Sequence, residues 1–169
     1  IKPKDKVFLT TGWIDQPAVA PGYGETDGPL GTLVLARALR KACKACIIIY
    51  TDEQLVEGLK MLAQVAGFHC VDPDLLEESI VANKLMTLSI LPFPTEPEKA
   101  QQKAVEMLST YKPVCLIAVE RGGLNEVGKI HNMLGYDTSL TQAKVDYLFI
   151  EANKQKLLTI AIGDGGNEI

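Results

Sequence analysis

A chain of 169 residues, 47% of them hydrophobic, is long enough for one domain with a real core. Its net charge of -4 and pI near 5.2 exclude a general nucleic-acid role. No apolar run reaches the length of a membrane span and no signal peptide is visible; the start at Ile1 instead of Met is what a fragment or a processed chain would show.

Strand and helix patterns alternate. Lys6–Thr11 reads as the first strand, followed by a Pro- and Gly-rich loop longer than most connections, hence a candidate functional loop. Residues 22–32 read Gly-Tyr-Gly-Glu-Thr-Asp-Gly-Pro-Leu-Gly-Thr. The glycines permit sharp turns, Pro29 suits a first helical turn, and Asp27 or Thr26 is placed to cap the helix. A helix start favours an anion, yet Glu25 and Asp27 would repel one. The loop is therefore expected to want a cation, a metal, or a ligand carrying both charges.

Residues 30–41 form a helix apolar on most sides, expected to be buried. Cys46–Thr51, with three isoleucines in a row, suits a parallel strand covered on both faces. A helical stripe over residues 53–66 stops at Gly67. A short strand at 68–71, a short helix at 73–82 and a strand at 85–91 follow. Pro97–Tyr111 is a helix, 114–119 a strand and 120–141 a second long loop. A helix over 141–153 and a strand over 157–162 complete the pattern. It predicts a doubly wound α/β domain with a mainly parallel sheet of about five or six strands and helices on both faces. The chain stops just after a strand, where a helix is expected, so a single domain truncated at its C-terminal end is the reading. Cys43 and Cys46 make a C-x-x-C that closes a helix instead of opening one, with no second pair nearby. The four cysteines therefore read as reduced, buried thiols, not a zinc or redox site.

In open α/β sheets ligands bind beyond the carboxyl ends of the strands, and those ends are polar here. They carry Thr10 and Thr11, Thr51-Asp52-Glu53, Glu120-Arg121-Gly122-Gly123 and Gly163-Asp164-Gly165-Gly166-Asn167-Glu168. Asp52 reads equally well as a helix cap. Arg121 is the only arginine at a strand end and the candidate carboxylate clamp, with a surface salt bridge as the alternative. His131 is a candidate acid or base or a solvated loop residue, Lys129 a solvated cation, and His69 structural. Trp13 and Tyr23 either wall the first loop or pack. Neither glycine-rich stretch matches a dinucleotide or phosphate-loop pattern.

Five stretches occur in order: Glu25-Thr26-Asp27-Gly28-Pro29-Leu30-Gly31, Thr51-Asp52-Glu53, Glu120-Arg121, His131-Asn132-Met133 with Gly135 and Asp137, and Gly163-Asp164-Gly165-Gly166-Asn167-Glu168-Ile169. On these, nearly the whole chain resembles the D-glutamate cyclase family. The resemblance implies conversion of D-glutamate to 5-oxo-D-proline with loss of water. It implies the mitochondrial matrix for an animal protein and the cytoplasm for a bacterial one, and further chain beyond Ile169. It also implies arginines shortly after Glu120-Arg121 and after His131-Asn132-Met133, where this chain has Leu124 and Leu134.

Closing a five-membered ring carries a large proximity advantage, so the chemistry requires no ATP and no cofactor. Arg121 is expected to hold a carboxylate, and Glu25, Asp27 or Asp164 to receive the ammonium and act as base. Thr26, Gly28, Asp52, Glu120, His131, Asn132, Gly165, Gly166, Asn167 and Glu168 are the expected substrate contacts. Backbone N–H groups at Gly28 and in residues 163–166 would stabilise the oxyanion. A divalent metal on Asp27, Asp52, Asp164 or Glu168 is the option. Arg121→Ala and Asp164→Asn are expected to abolish turnover and spare the fold. The expected partner is a small amino acid, not nucleic acid or membrane, with a homo-oligomer open. The competing readings are a non-catalytic amino-acid or nucleotide-binding module on the same sheet edge and a nucleotide-dependent enzyme.

Overall fold

The long apolar runs become strands of one sheet. In the computed structural model, which describes residues 1–14, 16–82 and 85–169, these are β1 (Lys6–Thr11), β2 (Cys46–Thr51), β3 (His69–Cys70), β4 (Thr87–Pro92), β5 (Cys115–Val119) and β6 (Leu158–Ile162). All pairings are parallel, in the order β3-β4-β2-β1-β5-β6. Five α-helices connect them among the described residues: α1 (Asp27–Cys43), α2 (Val56–Val65), α3 (Leu76–Ala82), α4 (Pro97–Tyr111) and α5 (Asp146–Lys154). The doubly wound α/β expectation is met.

Successive side chains of a strand point to opposite faces, and in β1, β2 and β5 both faces are dry, whereas the edge strand β6 is largely exposed. Val7, Leu9, Ile47 and Ile49 pack with Leu33 and Ala36 of α1 and Leu59 and Ala63 of α2. Phe8, Ile48, Tyr50 and Leu116 pack with Ile80 of α3, Ala104 and Leu108 of α4, and Leu148 and Ala152 of α5. A strand buried on both sides has no reason to alternate, which is why Ile47, Ile48 and Ile49 stand together. Each such side chain contributes about 1.5–3 kcal/mol by leaving water. The four cysteines are free thiols, two of them buried; burial pushes the Cys46 thiol up to about 11.

Two expectations need correcting. Helix α1 is not buried all round: Gly28, Thr32, Leu33, Ala36 and Arg40 are buried, Leu35, Leu39 and Cys43 are half-buried against the core, and Leu30 and Val34 are 54% and 70% exposed. Its start is at Thr26 by position, but no side chain caps it there. The helix expected over 141–153 begins only at Asp146, because Gln142, Ala143 and Lys144 are buried in irregular chain, with Ala143 hydrogen-bonded to Arg121 and Asp52. No helix among the described residues is long and apolar enough to cross a membrane.

Candidate active site

Strand β1 sits between β2 and β5. The chain leaves β1 through α1 toward β2, and leaves β5 through α5 toward β6. The carboxyl edge between β1 and β5 is thus where the winding reverses, the usual ligand crevice of such sheets. Gly28 presses the start of α1 onto this edge. A Cβ there would lie 2.8 Å from both Thr11 Oγ1 and Glu120 Cβ, so only glycine permits the approach.

A cavity of ≈ 570 Å³ opens at this point, lined by Trp13, Glu25, Thr26, Asp27, Glu120, Asn132, Met133, Leu134, Asp164, Asn167 and Glu168. Five of these described lining residues are carboxylates, and none is lysine or arginine. Leu134, which stands where an arginine was expected, is an apolar part of the wall. Glu120 is at the centre. It follows β5 directly, holds a left-handed backbone at φ 45, and donates its N–H to the Ile162 carbonyl at 2.9 Å. Oxygen atoms of Glu120, Asp164 and Glu168 all lie within 4.8 Å of one another. Burial, then the charges of Asp164, Asp27 and Glu168, raise the Glu120 carboxyl above its ordinary value.

The Glu168 carboxylate is enclosed by its own loop. Its Oε1 accepts the N–H groups of Asp164 (3.1 Å) and Gly165 (2.8 Å), and its Oε2 those of Gly166 (2.7 Å) and Asn167 (3.0 Å). Burial alone would raise the carboxyl, but backbone N–H groups, led by Gly165, outweigh it and hold Glu168 below its ordinary value. This overturns part of the oxyanion expectation, since Glu168 itself takes the Gly165 and Gly166 N–H groups. The Gly28 N–H is likewise turned to Asp27 Oδ1 at 2.9 Å, and Pro29 has none.

Arg121 and Asp52 are the second correction. Both side chains have 0% exposure, and neither lines the cavity. The guanidinium forks onto the Asp52 carboxylate, with Nη2 to Oδ1 at 3.1 Å, and donates to the carbonyls of Gly12 (2.6 Å) and Ala143 (2.7 Å). Asp52 Oδ1 also accepts the Ala143 N–H at 2.6 Å. The pair therefore clasps the segments after β1, β2 and β5 to the chain before α5, beneath the site. Neither the clamp nor the helix cap survives: no side-chain cap bond is made at Asp52.

His131 does not line the cavity. Its Nδ1 pairs with Asn125 Nδ2 at 3.2 Å, and its carbonyl accepts from Asn167 Nδ2 at 2.9 Å. Asn132 is 6% exposed, and its Oδ1 accepts the N–H groups of Leu134 and Tyr136, shaping the wall. Lys129 pairs at the surface with Asp137 at 2.7 Å. His69 is exposed on the edge strand. Trp13 is a cavity wall, 5% exposed, with its ring against Gly122. Met133 and Leu134 were not among the expected contacts, although Met133 belongs to the His131-Asn132-Met133 stretch and Leu134 stands where the resemblance implies an arginine.

A smaller niche of ≈ 270 Å³ lies over the ends of β1 and β2, lined by residues that include Tyr23, Glu25, Thr26, Leu55, Gly58 and Leu62. Gly58 sits in α2, and a Cβ there would meet nothing within 4 Å. Gly58→Ala is expected to stabilise the domain by about 0.5–1 kcal/mol through the helix backbone alone. Thermal unfolding checks it; a lower Tm would show that the helix is not regular there.

The comparison with protein families bears directly on this edge. The sequence model of one family, described as D-glutamate cyclase-like, C-terminal, matches residues 1–169. The chain belongs to this family. No curated protein matches it. In this D-glutamate cyclase-like domain four of the motifs meet at the carboxylate cavity, whereas Asp52 of the Thr51-Asp52-Glu53 motif is spent on the clasp.

Proposed function

We propose that this domain converts D-glutamate to 5-oxo-D-proline and water, with catalysis in the five-carboxylate cavity. The observation that carries the reading is this cavity, formed by the motif residues of a D-glutamate cyclase-like chain at the point where the sheet reverses its winding.

The charges define what the site needs. D-Glutamate is itself a net anion, and the lining offers no cationic side chain. The N–H groups of the 163–167 loop and of Gly28 are held by protein carboxylates. A hard divalent cation fits this donor set. A carboxylate has about four lone-pair positions, and in Glu168 all are taken by backbone N–H groups. Glu120 and Asp164 would therefore hold the ion, in the manner of magnesium-type sites that use one or two carboxylates. When bound it would neutralise the substrate carboxylates and polarise the γ-carboxyl.

The remaining roles fall to Asp27 and Glu25. The substrate ammonium sits against them; Asp27 takes one of its protons, so that the neutral amine attacks the γ-carboxyl carbon. One N–C bond forms and one C–O bond breaks. Two protons from the nitrogen leave with the departing oxygen as water, carried by Asp27 and Glu25. Trp13, Met133 and Leu134 give the lining its apolar part, Trp13 buried and the other two exposed.

Chiral chromatography of D- and L-glutamate incubated with the protein tests this. Product 5-oxo-D-proline from the D form alone is expected, lost in EDTA and restored by Mn²⁺ or Mg²⁺. Tight binding of D-glutamate without product would replace the enzyme by a binding module. Product undiminished in EDTA would remove the metal.

A further inference from the structure

We infer that Glu168 is a positioning residue: it is the resident anion of the 163–167 loop and thereby fixes Asp164 at the cavity. The inference rests on the role of Asp164 proposed above. Four consecutive N–H groups converge on the Glu168 carboxylate at 2.7–3.1 Å, a concavity of the kind that binds anions elsewhere. The same enclosure accounts for Gly163, where a Cβ would lie 2.7 Å from Glu168 Cδ. At Gly165 a Cβ would first meet Asn167 Oδ1, then Met133 Sδ at 2.6 Å, and Gly166 holds a left-handed backbone at φ +78. The closed loop is then fastened to its neighbours. Gly123 donates to the Asn167 carbonyl and Ile169 to the Arg121 carbonyl, each at 3.0 Å. Asn167 Nδ2 reaches the His131 carbonyl. Removing the anion would leave four N–H groups pointed at one empty spot, and the turn that carries Asp164 would be tied down only at its far end, through Asn167 and Ile169, among the described residues.

Glutamine is not a conservative replacement here, because its NH₂ would face two N–H donors. Alanine instead opens a space that a small carboxylate can refill. Wild type, Glu168→Gln and Glu168→Ala are compared in sodium acetate and in sodium chloride of equal ionic strength, by Tm and by D-glutamate turnover. Both variants are expected to lose kcat by about tenfold or more, with KM changed little. Acetate should raise the Tm of Glu168→Ala saturably and restore its kcat, with no such effect on Glu168→Gln or wild type. Wild-type Tm and turnover in Glu168→Gln would overturn the inference. So would an acetate response of Glu168→Ala no larger than that of wild type. If wild type does not turn over D-glutamate, the proposed reaction fails, and the acetate-dependent Tm still decides the role of Glu168.

Discussion

Arg121→Ala is expected to bring the domain to the edge of unfolding. The substitution removes a guanidinium with 0% exposure and leaves the buried Asp52 carboxylate with the Ala143 N–H and, at longer range, the Lys144 charge. Breaking a buried pair from one side costs about 3–5 kcal/mol, against a total stability of about 5–15 kcal/mol for a typical protein. The carbonyls of Gly12 and Ala143 lose their donor as well. Urea unfolding followed by circular dichroism measures this directly. The double variant Arg121→Met, Asp52→Leu should recover much of the loss, because it leaves no orphaned charge. A single variant with wild-type stability would show that the pair is not buried as described. Loss of turnover in Arg121→Ala accordingly says nothing about substrate contact, contrary to what the motif alone suggests.

Glu120→Gln is expected to do the opposite: raise stability and abolish turnover. Burial and the charges of Asp164, Asp27 and Glu168 hold the Glu120 carboxyl above its ordinary value. Such a group binds its proton more firmly in the folded chain than in the unfolded one. Its cost to stability is absent below about pH 4.3, the unfolded value, and appears as the pH rises through the raised folded value. In EDTA at neutral pH the glutamine variant should therefore melt higher, by about 2–4 °C for each kcal/mol relieved. The difference should vanish in acid. Turnover should fall at least about 100-fold, since charge stabilisation by a metal is worth several kcal/mol. Mn²⁺ should raise the Tm of wild type and not that of Glu120→Gln. A variant no more stable than wild type at neutral pH would mean that Glu120 is not crowded by its neighbours.

The fold was legible because its signals are local. Strand runs such as Cys46–Thr51 and the punctuated helix Pro97–Tyr111 need only their own periodicity and their own breakers. The location of the candidate cavity was legible too, since polar residues after β1, β5 and β6 collect on one edge in any parallel winding. The partners were not. Arg121 looked like a clamp because arginine at a strand end pairs equally well with a ligand or with a residue far off in sequence. Only the register of β1, β2 and β5 shows that Asp52 lies beneath it. The 163–167 loop misled for a related reason: a glycine-rich turn reads as an open anion site, and the anion is Glu168, the residue that directly follows the loop.

The Arg121 clasp also determines when the cavity can exist. Its bonds join residues 69 and 109 positions apart, contacts that reward the chain only after long loops have closed. Neither can form before β1, β2 and β5 lie side by side in register. The carboxylates of the wall follow β1, β5 and β6 in the chain, so the same pairing of strands that closes the clasp brings these charges together.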